Sequence, residues 1–178
     1  MTTTAPLEQL EKLITDVPDW PKPGIVFKDI TPLLADPPGL ALAVELMANA
    51  FRGSGVELVA GAESRGFIFG TAVAQALSAG FVPIRKPNKL PRRTHAITYD
   101  LEYGQDTLEV HADAVQPGQR VLMVDDLLAT GGTMKASCDL IEQLGGEVAG
   151  VTVLIELAFL NGRERIKPYD HVNAVLTY

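Results

Sequence analysis

The stretch VLMVDDLLATGGT, Val121 to Thr133, joins two kinds of chemistry that repel each other on first reading. An apolar run leads into adjacent acids, Asp125 and Asp126, and a small-residue loop follows: Ala129, Thr130, Gly131, Gly132 and Thr133. Such a loop at a helix N-terminus offers free backbone N–H groups and the positive end of the helix dipole, which suit a phosphate. The glycines permit positive φ and close approach, and Thr130 and Thr133 add hydroxyl donors. The loop has neither the Gly-Lys-Ser/Thr of a Walker loop nor a G-x-G-x-x-G fingerprint. With no lysine inside it, it suits a phosphomonoester held by amides and hydroxyls. Carboxylates would repel that phosphate, so the acids need a different partner. Ribose hydroxyls donate strongly to ionised acids. A ribose 5-phosphate answers both halves, with its phosphate on the loop and its diol on the acids. One acid alone would read as an ordinary strand end; the pair beside the loop is what carries the chemistry.

The surrounding elements must bring these groups to one place. Leu7, Leu10, Leu13 and Ile14 recur at helical spacing over residues 6–15. Pro18, Pro21, Pro23 and Gly24 then break the pattern into an ordered connection anchored by Trp20, Ile25, Val26 and Phe27. Helices are predicted over 38–53, 66–80 and 133–146, and strands over 58–62, 81–86, 107–113, the run into Asp125–Asp126, 148–157 and the last residues. Residues 87–100, polar and proline-containing, are expected to form a long loop. Strands alternating with helices predict an α/β fold with a mainly parallel, twisted sheet flanked by helices. Three apolar strands end in polar text: LVAGAESRG, VPIRKPNK and VLMVDDLLATGG. In a parallel sheet, ligands bind beyond the carboxyl ends of the strands, so these three ends should meet at one site.

The chain has 178 residues, of which 47% are hydrophobic and 21% charged, a balance that fits one globular domain. A net charge of −7 argues against a nucleic-acid partner, which calls for a basic face. The single cysteine, Cys138, excludes an intrachain disulfide and a Cys-rich zinc site. His111 and His171 have no metal-like spacing, and His95 reads as a solvated loop histidine. The first twenty residues lack the pattern of a signal peptide, and no window reaches the length of a membrane span. The expectation is a cytoplasmic protein with no membrane partner.

These motifs resemble those of the type I phosphoribosyltransferases, and VDDLLATGGT is most similar to the adenine-specific branch. PGIVFKDITPLL (23–34), AGAESRGFIFG (60–70), IRKPNKLP (84–91), YDLEYG (99–104) and VLMVDDLLATGGT occur in family order, so the likeness covers about residues 20 to 160. It implies the type I phosphoribosyltransferase fold in a single domain over 1–178, with a small hood about 1–33 and a mobile lid loop about 87–104. It implies transfer of the phosphoribosyl group of phosphoribosyl pyrophosphate (PRPP) to N9 of adenine, giving AMP and pyrophosphate in purine salvage. Asp125 and Asp126 would contact the ribose, and Ala129 to Thr133 the 5-phosphate. Val26 and Lys28 would read the adenine edge through backbone groups, with Phe27 beside the ring. A 6-oxopurine would invert that pairing and leave polar groups unpaired.

Arg65, Arg85, Lys86 and Lys89 would meet the pyrophosphate, and a non-proline cis peptide is expected at Glu63–Ser64. Glu102 would handle the adenine proton and Tyr103 would support the closed lid, which excludes water from PRPP. The resemblance assigns catalysis to Glu102, Tyr103 and Arg65. Mg²⁺ would arrive on the PRPP oxygens rather than in a protein cage, and a homodimer is implied. This chain departs from many relatives at Lys28, where they have Arg, and at Asn88, where Gly is common; Arg92 and Arg93 fall outside the shared pattern. Two other readings are a phosphoribosyltransferase for a 6-oxopurine or orotate, and a non-catalytic PRPP-sensing protein. PGIVFKDI and LEYG argue against the first, and the lack of an added DNA-binding domain or basic surface against the second.

Overall fold

The computed structural model describes residues 4–100 and 104–178. Contacts divide the chain into two compact units, Met1–Leu46 and Met47–Tyr178. In the first, helix α1 (Thr4–Glu11) leads to an antiparallel hairpin of β1 (Thr15–Pro18) and β2 (Val26–Asp29), in register Thr15 to Asp29 and Pro18 to Val26. Asp19 Oδ1 accepts a 2.8 Å hydrogen bond from Gly24 N and so closes the connection between the strands. A short helix α2 (Thr31–Ala35) and α3 (Pro37–Asn49) follow. Leu10, Ile30, Leu33 and Ala43 are buried. The prolines around 18–23 hid this hairpin from the sequence reading, which foresaw only an ordered connection.

The second unit runs β3 (Leu58–Ala62), α4 (Arg65–Leu77), β4 (Gly80–Ile84), β5 (Thr94–Asp100), β6 (Gln105–His111), β7 (Arg120–Leu128), α5 (Gly132–Gln143), β8 (Glu147–Glu156) and β9 (Val172–Thr177). Five of these strands form one sheet in the order β4-β3-β7-β8-β9, and every neighbouring pair is parallel. Parallel strands are covered on both faces and read as continuous apolar runs. Val121, Leu122, Met123 and Val124 of β7 are accordingly buried without alternation. A core of sheet and helix side chains, including Ala60, Met123, Leu140 and Val153, packs around them.

From β3 the chain steps outward to β4, and from β7 it steps the other way through β8 to β9. The strand order therefore reverses between β3 and β7, and the crevice beyond their carboxyl ends is where an open α/β sheet binds ligands. Gly61 pairs with Val124 across these strands. One residue on, β3 ends and turns through Glu63, Ser64 and Arg65, while β7 continues through Asp125 and Asp126. The Glu63–Ser64 peptide bond is cis.

One expectation is corrected. Residues 94–100 do not belong to a long loop: they form β5, paired antiparallel with β6 from Thr94–His111 to Asp100–Gln105. Ile97 and Tyr99 pack against the core while Ala96, Thr98 and Asp100 face outward, a strand alternation. His95 is therefore a half-buried strand residue. The prolines and arginines before Thr94 masked a pattern that becomes plain once β6 supplies its partner. Glu102 and Tyr103 lie outside the described residues.

Candidate active site

Strand β7 carries Asp125 and Asp126 out of the core onto the floor of a cleft of about 340 Å³, lined by Glu63 to Arg65 and by Asp125 to Met134. Asp125 Oδ1 accepts a 2.9 Å hydrogen bond from Asp126 N. The same oxygen lies 3.0 Å from where a Cβ on Gly66 would stand, and Gly61 would meet the Gly66 carbonyl oxygen at 2.8 Å. Small residues are thus required for the first turn of α4 to lie this close to both strands. Asp126 is only 5% exposed, and Arg65 Nε stands 2.9 Å from its Oδ2. That is ion-pair distance without hydrogen-bond alignment, since Oδ2 accepts no hydrogen bond among the described residues. Burial raises the pKa of both acids above the ordinary carboxylate range; the Asp126 charge adds to the shift on Asp125, while Arg65 opposes the shift on Asp126. A pair of acids held this way is poised to accept hydrogen bonds from a ligand's hydroxyls, which would restore what burial removes.

Beyond the acids, the chain makes the loop that precedes α5. Gly131 caps this helix with φ +81°, a left-handed conformation that costs a residue with Cβ. The first helical hydrogen bond runs from Lys135 N to the Gly131 carbonyl oxygen at 2.9 Å. The amides of the preceding turn have no partner within the helix and could take an anion there. A Cβ on Gly131 would stand 2.4 Å from the Gly162 carbonyl oxygen, and one on Gly162 would stand 2.3 Å from the Ala129 carbonyl oxygen. Backbone therefore packs on backbone behind the loop. Thr133 is held from the side, its Oγ1 3.1 Å from the Tyr99 hydroxyl of β5.

Sequence reasoning missed the residues that brace this loop. Arg163, next to Gly162, donates three hydrogen bonds of 2.7–3.0 Å to the buried Glu156 carboxylate at the end of β8. This fixes the turn behind Gly131. Nothing in the local text around Glu156 or Arg163 marks a brace; only the packed neighbour does. The polar, proline-containing text before Thr94 gives no local sign that Tyr99 stands in a strand beside Thr133.

Of the four cations that the resemblance assigns to the pyrophosphate, Arg65 lines the cleft, Arg85 and Lys89 meet the lining residue Glu63, and Lys86 lies outside the lining; each faces an acid. Arg85 Nε donates to Glu63 Oε2 at 2.8 Å and Lys89 Nζ to Glu63 Oε1 at 2.6 Å. Lys86 Nζ lies 2.9 Å from Asp106 Oδ2. The hydrogen bond from Lys86 to Asp106 raises the lysine's pKa. Val26, Phe27 and Lys28 lie in β2 of the first unit. There the Lys28 ammonium is 2.6 Å from Asp16 Oδ1, and Trp20 packs edge-on against Phe27 at 4.4 Å. Val26 is 49% exposed. Cys138 is buried on α5, where burial pushes its thiol up to about 12, so it is inert packing. No three His, Cys, Asp or Glu among the described residues cluster as a metal cage. No helix among them is long and apolar enough to cross a membrane.

Comparison with known proteins agrees with this geometry. A family profile described as "Phosphoribosyl transferase domain" matches residues 30–177. Adenine phosphoribosyltransferase of Acidobacterium capsulatum is 58% identical over 92% of this chain and 90% of its own length. The protein of the same name from Koribacter versatilis is 56% identical over 99% of this chain and 97% of its own. Among solved structures, adenine phosphoribosyltransferase from Thermoanaerobacter pseudethanolicus superposes with a TM-score of 0.94 at 49% identity, covering 97% of this chain and 99% of that one.

Proposed function

The chain belongs to the adenine phosphoribosyltransferase family, and from that premise we propose that it transfers the 5-phosphoribosyl group of PRPP to adenine, giving AMP and pyrophosphate. The observation that carries this reading is the joining of Asp125 and Asp126 to the Gly131–Gly132 amides in one cleft at the strand-order reversal. A ligand with a diol and a phosphate on one sugar fits that pair of features. In the transfer, adenine N9 forms a bond to C1′ as the C1′–O bond to pyrophosphate breaks. The electron pair leaves with pyrophosphate, and the N9 proton goes to Glu102. Asp125 and Asp126 hold the ribose hydroxyls while C1′ gains positive charge, and the loop amides hold the 5-phosphate. Fixing both ends of the sugar orients C1′ between the two displaced groups, and prearranged charges stabilise the charge that develops.

Arg65, Arg85, Lys86 and Lys89 receive the pyrophosphate; the 2.9 Å approach of Arg65 Nε to Asp126 Oδ2 supports this role for Arg65, next to the acids that hold the ribose. Val26 and Lys28 read the adenine edge by backbone groups, with Phe27 against the ring; engagement of the Lys28 ammonium by Asp16 supports a backbone role. Mg²⁺ would come bound to the PRPP substrate and would supply charge neutralisation at its oxygens. The donor set fits, since Mg²⁺ takes one or two carboxylates together with phosphates and retained water, and Asp125 and Asp126 are the adjacent carboxylates of the cleft. The segment of about residues 87–104, which includes Glu102 and Tyr103 in sequence, serves as the lid. The protein works in the cytoplasm as a homodimer, to be checked by its sedimentation. The central experiment is incubation with PRPP, Mg²⁺ and adenine. AMP is the expected product, and equal turnover of hypoxanthine would end the adenine assignment.

A further inference from the structure

We propose that Glu63 is a resident counter-ion for the pyrophosphate end of the cleft, exchanging its two cations with the phosphate oxygens as pyrophosphate binds and leaves. This rests on the reading of the cleft given above and adds a positioning residue to it. An acid is a costly neighbour for a polyphosphate, so its presence in the lining needs a reason. The Glu63 side chain is only 9% exposed, and its two oxygens are divided between Arg85 at 2.8 Å and Lys89 at 2.6 Å. Burial works against its charge, yet the hydrogen bonds from Lys89 and Arg85 outweigh it and lower its pKa. The carboxylate is therefore ionised at neutral pH and holds both side chains on one point.

The backbone that carries these cations is anchored separately. Arg85 N donates to the Glu109 carbonyl oxygen at 2.9 Å, and Glu109 N donates to the Arg85 carbonyl oxygen at 2.7 Å. Asn88 N donates to Glu109 Oε2 at 3.3 Å, and the Arg85 guanidinium lies 5.9 Å from the Phe67 ring centroid. Hydrogen bonds to Glu109 thus hold the backbone at Arg85 and Asn88 independently of the Glu63 carboxylate. What it supplies is charge: it offsets two cations that would otherwise repel each other and hold pyrophosphate too tightly. Binding pyrophosphate replaces one anion with another, which weakens product binding without removing the cations.

The test uses the full chain and Mg²⁺-pyrophosphate as probe, with affinity read by calorimetry and by product inhibition against PRPP. The wild-type protein must first bind pyrophosphate; if it does not, the reading of the cleft fails, and this inference with it. Glu63→Gln keeps the shape and removes the charge, so its affinity for pyrophosphate should rise about 3- to 10-fold. Its kcat should fall as release slows, and the KM for adenine should fall with it, leaving kcat/KM for adenine unchanged. Glu63→Asp retains the charge and should bind pyrophosphate within about 2-fold of wild type. A folded Glu63→Gln variant whose pyrophosphate affinity is unchanged or weaker overturns the proposal. Should that variant not fold, the wild-type Arg85 Nε–H resonance supplies the second reading. It should move when pyrophosphate is added, and a resonance that stays fixed while pyrophosphate binds likewise overturns the exchange.

Discussion

The two ends of the cleft are built on opposite plans. The loop end is made of backbone: amides before α5, a left-handed Gly131, and a carbonyl wall from Gly162. At the Glu63 end the neighbours are long side chains: Arg85 and Lys89 meet that lining carboxylate, and Lys86, between them along the chain, meets Asp106. Backbone amides carry only partial charges and need no counter-ion, so that end stays rigid and open to one small anion. Full cations on flexible stems are instead paired with acids, Arg85 and Lys89 with Glu63 in the lining and Lys86 with Asp106 outside it. The acids themselves differ in the same sense. Asp125 and Asp126 are pushed up by burial, whereas Glu63 is brought down by its cations. On the proposed reading, the first end would hold the part of the ligand that stays, and the second would exchange partners with the part that leaves.

Breaking the rigid end should have the largest effect. Gly131→Ala places a Cβ 2.4 Å from the Gly162 carbonyl oxygen at φ +81°. Turnover should fall roughly a hundred-fold or more as the loop shifts, read as AMP formation on protein that retains its circular dichroism. Asp125→Asn comes next: loss of a charged acceptor for ribose should lower kcat/KM about 10- to 100-fold.

The pKa directions sharpen the contrast. Because the folded pKa of Asp125 is raised, the folded protein takes up this proton at a higher pH than the unfolded chain. Acidification through that range stabilises the fold at this site while removing the charge that ribose needs. Asp125→Asn should therefore lower activity yet raise Tm at neutral pH. Glu63 has the opposite sign: its lowered pKa contributes stability above the unfolded value, lost as pH falls through the folded one. Glu63→Gln should lower Tm at neutral pH, so thermal melts of the two variants should move apart. If both move the same way, the contrast between the ends is wrong.

Tyr99→Phe removes only the hydroxyl that meets Thr133 at 3.1 Å. The KM for PRPP should rise about 2- to 10-fold with little change in the KM for adenine. The smallest effect belongs to Asp106→Asn at the exchanging end. Its pair with Lys86 is part-exposed, and the KM for PRPP should change by less than about 3-fold. A larger loss there would mean that Lys86 is held as rigidly as the loop.

Much of this molecule was readable before any coordinate. The apolar runs at 58–62 and 121–124 became β3 and β7 because burial on both faces of a parallel sheet demands continuous hydrophobic text. The 133–146 helix began one residue early, at Gly132, and the 148–157 strand became β8. Residues 94–100 and 26–29 were not recognised as strands, since short segments beside prolines reveal their alternation only against a partner. The diol-and-phosphate reading needed only local text, because Asp-Asp and Gly-Gly-Thr are neighbours in sequence.

The sequence by itself determined which groups are present and, through their order, the family and the class of ligand. Tertiary structure decided what those groups do to one another. That Glu63 spans Arg85 and Lys89, that Gly162 backs Gly131, and that Glu156 secures Arg163 all depend on chain segments 7 to 31 residues apart. Charge pairing and backbone contact act over a few ångströms of space, and separation along the chain does not measure that distance.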